Sequence, residues 1–167
     1  MKKLANLLLS YHFTMEYDLM RREILAIILA TIAFTLWGYF WYATLFDDIW
    51  QNYIGRSEEE LINLAVQRGA IQHVFTVLIS LLHVLGVFAC LKWIRATNFL
   101  KYMGLSLVLS SLIVLPAIGN TTLFAGTPIQ LLILDYGHFL FGYAGISFVF
   151  FIIAPLRDRR SSHSSSM

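Results

Sequence analysis

Apolar residues fall into four long blocks separated by short polar connections. The blocks run from about 24 to 46, 71 to 94, 102 to 120 and 129 to 156. Each is close to the roughly 20 helical residues that cross about 30 Å of hydrocarbon. The apolar positions are continuous rather than alternating, and an open sheet in lipid would leave its edge groups unpaired. The pattern predicts an all-α integral membrane protein, a four-helix bundle of four transmembrane helices within residues 24–156.

The polar segments refine this. Ser57-Glu58-Glu59-Glu60 is a capping box, with Ser57 as N-cap and Glu60 at the third helical position. Leu61, Leu64 and Ala65 follow on one helical face, and Gly69 supplies a stop after Arg68. A short interfacial helix from Glu58 to Arg68 is predicted in the first outer loop. Residues 1–23 read as a cytoplasmic lead-in, with Met15 and Met20 as alternative starts. Its apolar run, Leu4 to Leu9, is short for a cleavable signal and lacks a small-residue cleavage site. The serine-rich stretch 157–167 reads as a disordered cytoplasmic tail. Pro116, Gly119 and Asn120 read as a simple end of the third span. The competing reading is a kink that frees the Leu112 carbonyl and opens a cavity mouth.

Composition agrees with the pattern. The chain of 167 residues is 58% hydrophobic and 13% charged, against roughly 45–50% and 25% in soluble domains. A soluble fold of this length could not hide so much apolar surface. A net charge of +2 does not argue for nucleic acid. The single cysteine, Cys90, sits in an apolar run and reads as a packed small residue.

Charge sets an expected orientation. Lys2, Lys3, Arg21 and Arg22 precede the first span, Lys92, Arg95 and Lys101 separate the second from the third, and Arg157, Arg159 and Arg160 follow the fourth. Those are ten of the twelve basic residues, on one side if there are four spans. Only Arg56 and Arg68 lie on the other, among Asp47, Asp48, Glu58, Glu59 and Glu60. The positive-inside rule then puts both termini in the cytoplasm.

Aromatic residues crowd the exit of the first span: Trp37, Tyr39, Trp41, Tyr42, Trp50 and Tyr53; Trp93 and Tyr102 flank the second connection. The preferred reading is anchoring at the headgroups, with an aromatic ligand cage as the other. Within this region Trp37, Gly38, Trp41, Tyr42, Phe46 and Trp50 form a Gly…Trp-Tyr…Phe…Trp pattern followed by a short acidic loop. That pattern resembles a small bacterial membrane family known as domain of unknown function 1761. Leu134-Asp135-Tyr136-Gly137-His138, with Gly142 and Gly145, is similar to the family's last helix. The resemblance covers roughly residues 24–155 and implies four helices in a bacterial inner membrane. It implies no activity. Asp47 and Asp48 depart from the family pattern, which has glycine and a basic or small residue there.

Ionisable groups inside hydrocarbon are expensive and usually face the bundle interior. Here they are His73 and His83 in the second span and Asp135 and His138 in the fourth. His73, Thr76, Ser80, His83 and Cys90 share one helical face, as do Asp135, His138, Gly142 and Gly145, and as do Thr31, Thr35, Gly38 and Tyr42. His83 lies about 18 Å inward from Ile71, and His138 about 14 Å inward from Ile129, at 1.5 Å per residue. The two meet near mid-membrane if spans two and four are neighbours.

The structural reading makes these groups interhelical hydrogen bonds. The functional readings are a proton or ion relay through His73, Asp135, His138 and His83, or a metal site from Asp135, His138 and His83 that would have only three ligands. No Ser/His/Asp spacing, phosphate loop or cysteine pair points to an enzyme. The expected function is therefore that of a non-enzymatic membrane protein acting through packing or self-association, supported by the Gly137, Gly142, Gly145 stripe. The alternative is a small proton- or ion-linked permease, which would need an oligomer to build a pore. No cofactor or metal is expected, and the lipid bilayer is the expected surrounding.

Overall fold

A computed structural model describes residues 2–154, with side-chain positions for Thr14 and from Glu16 onward. The predicted tail 157–167, and the fourth block beyond Ala154, lie outside the described residues. The helices are α1 (Lys2–Phe40), α2 (Asp47–Ile54), α3 (Glu58–Trp93), α4 (Phe99–Leu109), α5 (Leu115–Ala125) and α6 (Ile129–Ile153). Two π turns, Trp41–Leu45 and Ser110–Val114, follow α1 and join α4 to α5. No strand occurs among the described residues. Four helical segments are long and apolar enough to cross a membrane: Glu16–Leu45, Glu58–Trp93, Phe99–Ala125 and Ile129–Ile153. The chain is thus a multi-pass, four-helix membrane protein.

The lead-in is continuous with the first span. Nothing between Lys2 and Trp37 is a glycine or proline, so no local signal breaks α1. The capping box forms as predicted: Glu60 N–H donates to Ser57 Oγ at 3.3 Å, and Ser57 N–H donates to Glu60 Oε2 at 2.8 Å. Gly69 does break the helix that the box starts. Its φ of 53° and ψ of −147° turn the chain between the Glu58–Arg68 segment and the span proper, a conformation open essentially to glycine alone.

Two elements depart from expectation. Residues 47–54 form a helix, α2, that local pattern does not announce. Asp47 and Asp48 sit in its first turn, where they complement the helix dipole, and Gly55 ends it at φ 66°. Pro116 is not the end of span three. The helix continues to Ala125, with Pro116 in the first turn of α5, where a missing N–H is harmless. The preceding π turn absorbs the register change: Leu115 N–H donates to Ser110 O, five residues back.

α6 is the centre of the bundle, packed between α1 and α4, and α1 in turn lies against α3. Fully buried Ala26 and Ala30, one turn apart on α1, permit close helix approach. The seam between α3 and α4 is loose, although only a tight turn joins them. That turn closes with Ala96 N–H donating to Leu91 O and Arg95 N–H to Lys92 O, placing Arg95 at φ 51°. Asn98 then caps α4 by accepting from Lys101 N–H at 3.0 Å. At this basic end Lys92 pairs with Glu23 at 2.8 Å, tying α3 to α1. Large apolar side chains such as Leu36, Val74, Leu112 and Ile133 face outward, as lipid contact requires.

Candidate functional site

Each ionisable side chain singled out in the spans meets an aromatic partner, and three meet a tyrosine hydroxyl. Tyr42, on the π turn that ends span one, donates to Asp135 Oδ1 at 2.8 Å. Tyr143 on α6 bonds His83 Nδ1 on α3 at 2.7 Å. Tyr39 on α1 bonds His73 Nδ1 on α3 at 2.8 Å. Every pair joins two different spans, so each works as a helix-to-helix tie.

His138 is handled differently. Its ring is buried among aromatic rings, with centroid separations of 5.0 Å to Tyr42, 5.5 Å to Phe34 and 6.3 Å to Trp41. Its backbone carbonyl accepts from Trp37 Nε1–H at 3.1 Å. Its Nδ1 bonds to no described protein group, and neither does Trp41 Nε1 or Thr35 Oγ1 nearby on span one.

Phe34 decides how the two central histidines relate. Its ring centroid lies 5.5 Å from His83 and 5.5 Å from His138. One phenyl ring thus packs against both histidines. No hydrogen bond links His73, Asp135, His138 and His83 to one another among the described residues. Nor do three His, Cys, Asp or Glu side chains converge into a metal-binding group there.

Two of the three stripe glycines of α6, Gly137 and Gly142, pack inside one copy of the chain. A Cβ on Gly142 would collide with the Phe34 ring and come within 3.3 Å of Trp37 Cδ1, and one on Gly137 would come within 3.0 Å of Trp41 Cζ2. Gly145 has open space. A second polar seam ties α6 to α4: Ser106 Oγ–H donates to Ser147 Oγ at 2.6 Å and lies 3.0 Å from Tyr143 O. Ser111 and Tyr136 hydroxyls, 2.9 Å apart, repeat the tie at the π turn.

The family described as Protein of unknown function (DUF1761) matches residues 25–151. The chain belongs to DUF1761. No curated protein and no solved structure matches it.

The DUF1761 match takes in the whole aromatic motif and both ionisable spans. Trp37, Gly38, Trp41 and Tyr42 are the surface of span one that receives α6: Gly38 lies 3.5 Å, at its Cβ position, from His138 Cε1, and Trp41 packs on Gly137. Trp41 also packs in a tilted arrangement on Phe46, and Tyr42 on Trp50, at centroid separations of 4.6 and 5.6 Å. The headgroup-anchor expectation therefore fails for Trp41, which is buried, and for Tyr102, which is fully buried. It suits Trp93, which is 85% exposed. Sequence reasoning missed Phe34, Tyr143 and the serine seam. Tyr143 carried one signal: it lies about 21 Å from Ile129 along α6, too deep for a headgroup anchor.

A cleft of about 350 Å³ opens along the loose α3–α4 seam. His83 and Tyr143 line it together with apolar side chains of α3 and α4 and with Ile113 of the π turn.

Proposed function

We propose that this DUF1761 chain is a non-enzymatic, multi-pass protein of the cell (inner) membrane whose intramembrane Asp and His side chains act as structural ties between helices. One observation carries the reading: Phe34 packs against both His83 and His138, while Tyr143, Tyr42 and Tyr39 take up His83, Asp135 and His73. A proton relay needs neighbouring groups that can exchange a proton, and a phenyl ring offers none. The Asp and His ties form within one copy of the chain, so the reading requires no pore-forming oligomer.

The permease alternative draws support from His138, whose buried Nδ1 bonds no described protein group. Reconstituted liposomes carrying a pH-sensitive dye separate the two. Wild type is expected to give no more pH-dependent flux than empty liposomes. A flux that disappears in a still-assembled His83→Leu, His138→Asn double variant would overturn the structural reading.

Both ends lie on the cytoplasmic face. Four spans return the chain to its starting side, and ten of twelve basic residues then share that side. Green fluorescent protein fused to either end is expected to fluoresce, and alkaline phosphatase at either end to be inactive. An active phosphatase at one end would refute this orientation.

A further inference from the structure

We propose that the cleft between α3 and α4 is a binding site for a neutral lipophile that presents one carbonyl oxygen, with the His83–Tyr143 pair as the donor to that oxygen. The cleft runs beside the π turn of span three, and its position within the spans turns its mouth toward hydrocarbon. Its rim residues Leu82 and Ile113 are 61% and 62% exposed, while Val87 and Tyr143 deeper in are 1% and 7% exposed. A ligand therefore enters sideways from the bilayer. The volume suits a small ring system or the head of a larger lipophile, and the lining is apolar apart from a few polar groups, as in ordinary ligand pockets.

The polar groups define the head. Tyr143 bonds His83 Nδ1, and no other hydrogen-bond acceptor for the phenol proton lies among the described contacts of its hydroxyl. Either the phenol donates to Nδ1, which leaves the imidazole proton on Nε2, or Nδ1–H donates to the phenol oxygen, which leaves the phenol proton. In both arrangements the pair keeps one donor that needs an acceptor, and no described protein group supplies one. In hydrocarbon an unmet donor is expensive, and an acyl chain cannot meet it. A carbonyl oxygen can. No Lys, Arg, Asp or Glu lines the cleft, so a charged head would find no counter-charge.

Cys90 lines the same cleft and is the chain's sole cysteine, which makes it a reporter. The full-length protein in detergent is alkylated with N-ethylmaleimide in the presence of benzophenone, or of diphenylmethane, which has the same two rings and no carbonyl. Benzophenone is expected to slow Cys90 alkylation about five-fold more than diphenylmethane does, the worth of one neutral hydrogen bond. The double variant His83→Leu, Tyr143→Phe should abolish that difference. Because the double variant also removes the tie between α3 and α6, Gly86→Leu provides the second test. A Cβ at Gly86 meets nothing within 4 Å, so leucine there fills the cleft and leaves the His83–Tyr143 bond alone. Gly86→Leu should remove protection by either compound at a melting temperature no lower than that of the wild type. Equal protection by the two compounds would show a greasy slot filled by any apolar molecule, and no protection by either would show no site; each result overturns the proposal.

Discussion

Gly142→Ala is expected to destabilise the bundle by about 1–2 kcal/mol, whereas Gly145→Ala, on the same helix, should be neutral or stabilising by up to about 1 kcal/mol. Both substitutions raise helix propensity equally, so the difference between them isolates packing. At Gly142 a methyl group would overlap the Phe34 ring, and at Gly145 it would enter open space. The ring cannot simply move away, because Phe34 is held between His83, His138, Phe139 and Tyr143. The strain would therefore spread to both histidines. Thermal melting of the purified protein in detergent measures the effect. Equal shifts for the two variants would mean that α1 and α6 do not pack with Phe34 over Gly142.

This contact also separates what could be read from the sequence from what could not. Hydropathy and charge are local signals, so the four spans and the capping box at Ser57 were legible directly. So was the unusual backbone at Gly69, because only glycine tolerates it. Helix faces were legible as well: Gly38 and Tyr42 do face α6. The pairing of those faces was not. A sequence shows that Asp135 and His83 need partners, but only the order of helices around the bundle says that Tyr42 and Tyr143 supply them.

Phe34 was invisible for the opposite reason. A phenylalanine in an apolar span attracts no notice, yet its ring packs against both His83 and His138. The same blindness affected α2. Its Ile49, Trp50, Tyr53 and Ile54 look like the tail of an aromatic belt, and only Gly55 punctuates them. At Pro116 the error had another cause. Proline reads as a helix end, but a π turn just upstream lets the helix restart with proline in a position that needs no N–H.

Tyr42→Phe is the second substitution with a large expected effect, a loss of about 1–2 kcal/mol. Interhelical hydrogen bonds in membranes contribute about 0.6 kcal/mol on average and up to about 1.7, and this one has a carboxyl as acceptor. Removing the hydroxyl leaves Asp135 half-buried in a span without its 2.8 Å donor, and an unmet group there is worse than no group. Asp135→Asn keeps an acceptor oxygen for Tyr42 and should lose less than half as much. Replacing both partners, with Tyr42→Phe and Asp135→Leu together, should restore most of the stability that Tyr42→Phe alone removes. The double-mutant cycle, read by reversible unfolding in detergent, therefore has a defined sign: the double variant is more stable than the sum of its singles. Strict additivity would mean that the hydroxyl and the carboxyl do not meet. The same cycle bears on function. If Asp135 serves as a structural tie, Asn and Leu replacements should track stability alone. A variant such as Asp135→Asn that folds normally and yet loses a biological activity of the chain would mark the carboxyl as a working group, and would move the protein from the structural reading toward the permease.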